Sequence, residues 1–594
     1  MPSLAALRAE GATARGSVTS LPAKTAAGHA TLFTGAWPDV SGVTGNAVLL
    51  PSASLLSPVS GYRSEPLRAE PLWVAAARQG LRATMLSATQ DYPYEPYEPS
   101  GRFGGPHGDR LVFLTGYKEA WVEDAVFRAA DFVRREPAGW KGEPPAGAVE
   151  IDLRAGETTV HGLLLDDPGD PVRGLDTLSL SPDKDAATAV RLKPAPPGTT
   201  DAYASVPVRV RGYEFPVFFR LFALSGDGSD LVLYRARSGA YLSNRDPLAL
   251  AVTRATGGFV GNGAGHPYEA GALGPTLAEG GDGLAERRYL DTVRLVARQF
   301  ERLLEFGATR TDWDVLVGYL PYPDEILHRF WGHLDPSLPG HDPVLASRLR
   351  PFLDEGLRIA DAYVAALRRH AGPGAVVAIG ADHGMTSVRT RVRMNAALRE
   401  AGLLAVDSSG RIDLARTKAY FLEQGGYFLF NGTGRPAGSV PEEERGALGA
   451  RIEAMLRGLR DPRSGRTVVE DVFTPGSREG TGGTHGGDVY LRLAPHVFPT
   501  GETTGEVFYE GPPRGEHILA PDRDDMHASF VVAGPGVAAG ADLGIVRQVD
   551  LAPTLAALLG LDPPAQSRGV VLERALVRDR GSPSPRRTRP SALD

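Results

Sequence analysis

The stretch Ala375-Val-Val-Ala-Ile-Gly-Ala-Asp-His-Gly-Met385 constrains this chain most. Its apolar run contains β-branched residues and is too short for a helix, so it reads as a strand buried on both faces. It breaks off in Asp382 and His383, with Gly384 next. A carboxylate and an imidazole at the end of a buried strand need something to compensate their charge. In open α/β sheets, ligands bind beyond the carboxyl ends of the strands, and carboxylate plus imidazole is an ordinary ligand set for zinc. A polar turn in which Asp382 caps the next segment accounts for these residues equally well, so the rest of the chain has to decide.

A second apolar run, Asp314-Val-Leu-Val-Gly-Tyr-Leu320, leads into Pro321-Tyr-Pro-Asp-Glu-Ile-Leu-His328. Asp324 and His328 are four residues apart, so on one helical turn they share a face and can grip one ion. A surface polar pair has the same spacing, but this pair follows a buried-strand candidate, as Asp382-His383 does. Near the start, a short helix with Pro2 near its first turn reads as ending at Gly11, and a strand-like tail follows it. Lys24-Thr25 then precede a helical run that stops at Gly35. A threonine there is ordinarily a cap, yet a helix N-terminus also collects anions and a hydroxyl there can be ionised by a nearby metal. In the following loop Asn46 can offer an amide N–H to a developing oxyanion, or simply serve a turn.

Between about residue 139 and residue 250 the period changes. Short strand-like segments such as Val149–Leu153, Thr158–Leu165, Val206–Val210 and Val217–Leu224 alternate with Asp/Gly/Pro turns. This reads as an inserted β-rich domain, dividing the chain into core residues 1–138 and 251–577, the insert 139–250, and a basic, Pro- and Ser-rich tail 578–594 that reads as disordered. Helical patterns cover Trp121–Arg135, Gly283–Phe306, residues 342–370 and Pro441–Leu459. Two late histidines stand in Thr484-His485-Gly-Gly487 and Gly515-Glu-His517.

Composition narrows the function classes. The 594 residues carry 64 Lys plus Arg against 71 Asp plus Glu, a net charge of -7. That argues against a nucleic-acid polymer as the main partner, since phosphate-backbone binding is driven by dense positive charge. With Cys 0, thiolate metal sites and Cys nucleophiles are excluded. No apolar run reaches membrane-spanning length. Met1-Pro-Ser-Leu has no basic n-region and no long apolar core, so no signal peptide is visible.

Taken in order, Lys24-Thr25…His29…Thr34-Gly35…Pro38, Gly42…Asn46, Asp324…His328, Asp382-His383-Gly384-Met385, Gly515…His517, Gly534-Pro-Gly536 and Asp550…Ala552-Pro-Thr554 resemble the alkaline phosphatase superfamily, most closely its type I phosphodiesterase/nucleotide pyrophosphatase branch. Each motif is weak by itself, and the ordered set is specific. The resemblance implies an α/β fold: an alkaline-phosphatase-like core with a mostly parallel central sheet flanked by helices and the β-rich insert. It also implies a hydrolase of small phosphate esters using two divalent metal ions, of which zinc is the usual pair. Asp324, His328 and His517 would hold one ion. Asp382 and His383 would hold the other, beside Thr25 as the nucleophile of a phospho-enzyme step, with Asn46 steadying phosphoryl charge. His485 is the competing choice for the last ligand, and His517 is preferred because Met526–Gly536 follows it at the usual distance. Members of this branch commonly place an aromatic residue after the threonine and a Pro before the His, where this chain has Ala26-Ala27-Gly28. They also carry a strand closing in a metal-ligating Asp before the opening helix, which here is expected upstream of Met1. A leader preceding it would make the protein secreted or periplasmic. Diesterase and monoesterase action both fit the motifs. The alternative from another class is a non-catalytic binding protein that uses the insert to hold an unknown partner.

Overall fold

The computed structural model describes residues 1–577 except 117, 118, 172, 200, 201 and 518. The tail read as disordered lies outside the described residues. The chain opens with helix α1 (Pro2–Glu10) and strand β1 (Ala12–Val18) and continues into helix α2 (Thr25–Thr34). Strands β2 (Ala83–Leu86) and β3 (Leu111–Thr115) follow, then β4 (Val315–Gly318), helix α3 (Asp324–Leu334), helix α4 (Pro343–Ala371) and β5 (Val377–Gly380). The C-terminal part supplies β6 (Thr386–Arg393), β7 (Val497–Thr500), β8 (Phe508–Glu516), β9 (Phe530–Ala533) and β10 (Asp542–Arg547).

Two four-stranded sheets form the core. One has the order β5-β9-β1-β10, and the other has Leu242–Ser243, β3, β2 and β4 in that order. The pairing is mixed rather than mostly parallel. β9 runs antiparallel to both β5 and β1, β1 runs parallel to β10, and β2 runs parallel to both β3 and β4.

The two apolar runs that precede the metal-ligand candidates are not buried on both faces as their composition predicts. Among the described residues, β4 pairs only with β2 and β5 only with β9, so Val315–Val317 and Val377–Ile379 stay half-buried. Their apolar residues still find partly buried partners near the site. Helix α2 spans the pair: Leu32 packs with Val376 and Ala378 around β5, and Phe33 packs with Val315 and Val317. Gly35, at φ 65°, ends α2 in a left-handed cap that a β-carbon would strain.

The β-rich part consists of two four-stranded antiparallel sheets around one core that includes Ile151, Leu164, Leu178, Val206, Phe215 and Leu233. It takes in residues earlier than 139. Trp121–Arg135, expected as a helix, instead gives the short strands Trp121–Val122 and Ala125–Arg128. Ala125–Arg128 pairs antiparallel with Leu231–Arg235, placing Phe127 on the insert core. Long-range pairing overrides a helical period here, as it can wherever aromatic and β-branched residues are frequent. Among the described residues no helix is long and apolar enough to cross a membrane.

Candidate active site

Four distant segments meet at the carboxyl ends of β4 and β5. Thr25 is the first residue of α2, and Lys24 stands at the cap position before it. Asp324 and His328 lie on the first turns of α3, Asp382 and His383 follow β5, and His517 follows β8. The Thr25 hydroxyl is 3.3 Å from His383 Nε2. Ligand atoms of Asp324, His383 and His517 lie within 4.8 Å of one another. His383 and His517 stack with ring centroids 3.9 Å apart, and His328 meets His517 edge-on at 5.3 Å. His328 Nε2 is 3.5 Å from Asp324 Oδ2, and His383 Nε2 is 3.2 Å from Asp382 Oδ2.

Each imidazole is oriented by a backbone carbonyl. The Nδ1 of His328 faces Gly515 O at 2.7 Å, that of His517 faces Ala23 O at 2.8 Å and that of His383 faces Gly384 O at 3.0 Å. A carbonyl only accepts, so Nδ1 carries the proton in all three and Nε2 is left as the lone-pair donor. Asp324 Oδ1 is buried and has no hydrogen-bond partner among the described residues. Three imidazole Nε2 atoms with a free carboxylate oxygen make a donor set that fits zinc. Two close approaches hold the frame together. A β-carbon on Gly28 would lie 2.4 Å from Asp382 O, and one on Gly515 would lie 2.3 Å from Leu327 O. Gln548 Nε2 donates to the carbonyls of Ala381 and Asp382, both at 3.0 Å, and so anchors the strand end.

The electrostatics follow from burial and pairing. Burial would raise the Asp382 carboxyl, but the His383 and His29 charges hold it far below the ordinary carboxylate range. Asp324 is likewise raised by burial yet held below its usual value, mainly by His328. Burial opposes a proton on His328, but Asp324 and Glu516 outweigh it and push the imidazole up to about 9. Burial, reinforced by His383, pushes His517 well down, so this ring is neutral. Carboxylates that draw protons onto imidazoles will draw a divalent cation more strongly.

At the helix start, Ala26 N donates to Asn46 Oδ1 at 2.9 Å. The Asn46 amide Nδ2 therefore remains the donor available to a ligand at the positive end of α2. Tyr62 hydrogen-bonds to the Thr25 side chain, and burial pushes its phenol far up, so it keeps its proton. Sequence spacing gave no signal for Tyr62. His485 is not in this cluster: its Nδ1 faces Gly42 O at 2.8 Å, and its Nε2 lies 3.3 Å from Arg68 Nη1. A second carboxylate and histidine group, Glu150, Asp152 and His161, lies in the β-rich sheets. Glu150 there is already bonded to Arg135, Trp140 and Lys184.

The family model described as type I phosphodiesterase/nucleotide pyrophosphatase matches residues 1–141 and 267–505, which is more than half of the chain. The chain belongs to this family. Its class of reaction is therefore the hydrolysis of phosphoric esters. Among solved structures it resembles human ectonucleotide pyrophosphatase/phosphodiesterase 5, at 12% identity and a TM-score of 0.42, over 95% of this chain and 90% of that one. It also resembles an inactive variant of murine ectonucleotide pyrophosphatase/phosphodiesterase 5 in complex with AMP, at 11% identity and a TM-score of 0.44, with the same coverage. No curated protein matches the sequence. The family match leaves out residues 142–266, which contain most of the β-rich sheets and none of the clustered side chains, and residues 506–594, which contain His517.

Proposed function

We propose that this chain hydrolyses phosphoric esters, diesters in the first instance, through a covalent intermediate on Thr25 at a dizinc centre. The observation that carries the reading is the Thr25 hydroxyl at the first residue of α2, 3.3 Å from His383 Nε2 and beside the Asp324, His383 and His517 donor set. Asp324, His328 and His517 would hold one ion, and Asp382 and His383 the other. When bound, such ions supply Lewis acidity that makes a hydroxyl nucleophilic near neutral pH and offsets phosphoryl charge.

The chain's own groups do the rest. Thr25 Oγ attacks phosphorus, an Oγ–P bond forms, and the ester bond to the leaving oxygen breaks. Asn46 Nδ2 and the free N–H groups of the α2 N-terminus donate to a non-bridging oxygen as its charge develops. Tyr62, kept protonated by burial, is hydrogen-bonded to Thr25 Oγ and fixes its rotamer. Water then cleaves the Oγ–P bond, returning a proton to Thr25 and releasing the phosphoryl product. Thr25 sits where α2 covers both β4 and β5, so attack is directed from a rigid element.

The test is turnover of bis(p-nitrophenyl) phosphate by chelator-treated protein with and without zinc. Zinc should restore p-nitrophenol release in the wild type and leave Thr25→Ala inactive. Equal turnover by Thr25→Ala would remove Thr25 from the role given to it.

A further inference from the structure

Beside Thr25 a cavity of about 330 Å³ opens under the three-stranded sheet of order β7-β6-β8. Its lining includes Lys24, Arg391 and Arg514, the rings of Phe498, Tyr509 and His517, and the carboxylates of Glu423 and Glu516. Sheet register explains the grouping: Arg391 on β6 pairs with Phe498 on β7 and with Tyr509 on β8, which sets the three side chains abreast on one face. Two cations share the Phe498 ring. Lys24 Nζ is 5.3 Å from its centroid and the Arg391 guanidinium carbon is 5.5 Å from it.

Both cations are buried, at 4% exposure for Lys24 and 6% for Arg391. Arg391 Nη1 has no hydrogen-bond partner among the described residues. The two carboxylates of the lining have partners of their own, while both also face Lys24 and Glu516 faces Arg391. Glu423 accepts from Gly501 N at 2.7 Å, and Glu516 lies 3.7 Å from both His328 Nδ1 and Arg514 Nε. A buried guanidinium with an unpaired Nη1 is costly unless an anion completes it. A lysine and an arginine that share one aromatic ring, with a donor left over, suit a compact oxyanion on a short carbon stem.

We propose that this cavity is a subsite for a second anionic group of the substrate, a phosphoryl or carboxylate group carried a few bonds from the ester phosphorus. Lys24 is adjacent to Thr25 in the chain and His517 lines both spaces, so a single ligand reaches from one to the other. The placement of the ester at Thr25 rests on the function proposed above. The occupancy of the cavity by an anion rests on Lys24, Arg391 and Phe498 alone.

Three p-nitrophenyl diesters separate these points, with propyl, 3-carboxypropyl and 3-phosphonopropyl as the second substituent. Cleavage of either ester bond of each is followed by phosphorus NMR in the zinc-loaded full chain. An acidic tail should raise kcat/KM about ten-fold or more over propyl, mainly through KM, the size expected for charged hydrogen bonds. Comparing the two acids shows which oxyanion is preferred. Arg391→Gln should bring the acid-to-propyl ratio close to one, and Arg391→Lys, which keeps the charge without the fork, should retain part of it. Thermal unfolding checks that both variants fold, and the ratio is unaffected by a loss of folded fraction. A ratio near one in the wild type, or an unchanged ratio in Arg391→Gln, overturns the subsite. Equilibrium binding of the same diesters to Thr25→Ala is the second readout. A tight, Arg391-dependent preference for acidic tails without turnover in the wild type would sink the hydrolase mechanism and leave the subsite standing.

Discussion

At the scale of single residues, the site is an arrangement of imidazoles whose protons are already assigned by backbone carbonyls. His328 gives a pH prediction with a definite sign. Its ordinary value of 6.5 is pushed up to about 9 by Asp324 and Glu516 against the opposing effect of burial. The charged pair therefore stabilises the zinc-free protein fully below pH 6.5, and that contribution is lost as pH rises through about 9. The Tm of the zinc-free protein should fall across this window, and Asp324→Asn should flatten the slope. Zinc affinity should rise over the same window, because the proton and the metal compete for His328 Nε2. Gly28 gives a steric prediction. Its α-carbon position leaves no room for a methyl group 2.4 Å from Asp382 O. Gly28→Ala should cost about 1–3 kcal/mol in unfolding free energy and lower kcat by displacing Asp382. Asp324-His328 and Asp382-His383 were legible in the sequence because their spacing is local and each follows an apolar run. Tyr62 and Arg391 were not, because they reach the site through tertiary packing and sheet register, which leave no periodic trace.

At the scale of elements, β5 and α2 carry the chemistry and Gln548 ties down the end of β5. Gln548→Leu would remove the donor from the carbonyls of both Ala381 and Asp382. Leaving buried acceptors unmade costs about 1–3 kcal/mol. The variant should unfold at lower denaturant and bind zinc more weakly, and unchanged zinc titration would show that the strand end is held by other contacts. Elements were read well where one pattern ran long, as in Pro343–Ala371, where Asp342 accepts from Val344 N and Leu345 N at the helix start. They were misread where partners were distant. Trp121–Arg135 has a helical period, but Leu231–Arg235 recruits Ala125–Arg128 into a sheet. β4 and β5 have the composition of doubly buried strands, but among the described residues each pairs along one edge only, and edge exposure cannot be read from composition.

At the scale of the whole molecule, the β-rich sheets are coupled to the core by a buried ion pair. Arg220, fully buried on Tyr213–Leu224, donates to Asp291 Oδ2 at 3.0 Å on the helix Leu284–Arg310. Asp291 Oδ1 also accepts from Gly198 N at 2.6 Å. Removing one partner strands the other charge, so Arg220→Met should destabilise the protein by about 3–5 kcal/mol. Turnover at low temperature should survive, because no residue of the pair touches the site. The switch to short alternating strands is visible in the sequence from about residue 139, later than Ala125–Arg128, which the sheets also take in, whereas this coupling leaves no trace there, since it joins residues far apart in sequence. The convergence of residues 25, 324–328, 382–383 and 517 on one hydroxyl is the central claim, and acid quenching tests it most directly. Zinc-loaded protein is mixed with bis(p-nitrophenyl) phosphate, stopped in acid within a turnover, digested and read by mass spectrometry. The p-nitrophenylphosphoryl group should be found on the peptide containing Thr25 and be absent from Thr25→Ala. A wild type that turns over steadily with no adduct, or with the adduct on another residue, would contradict the account.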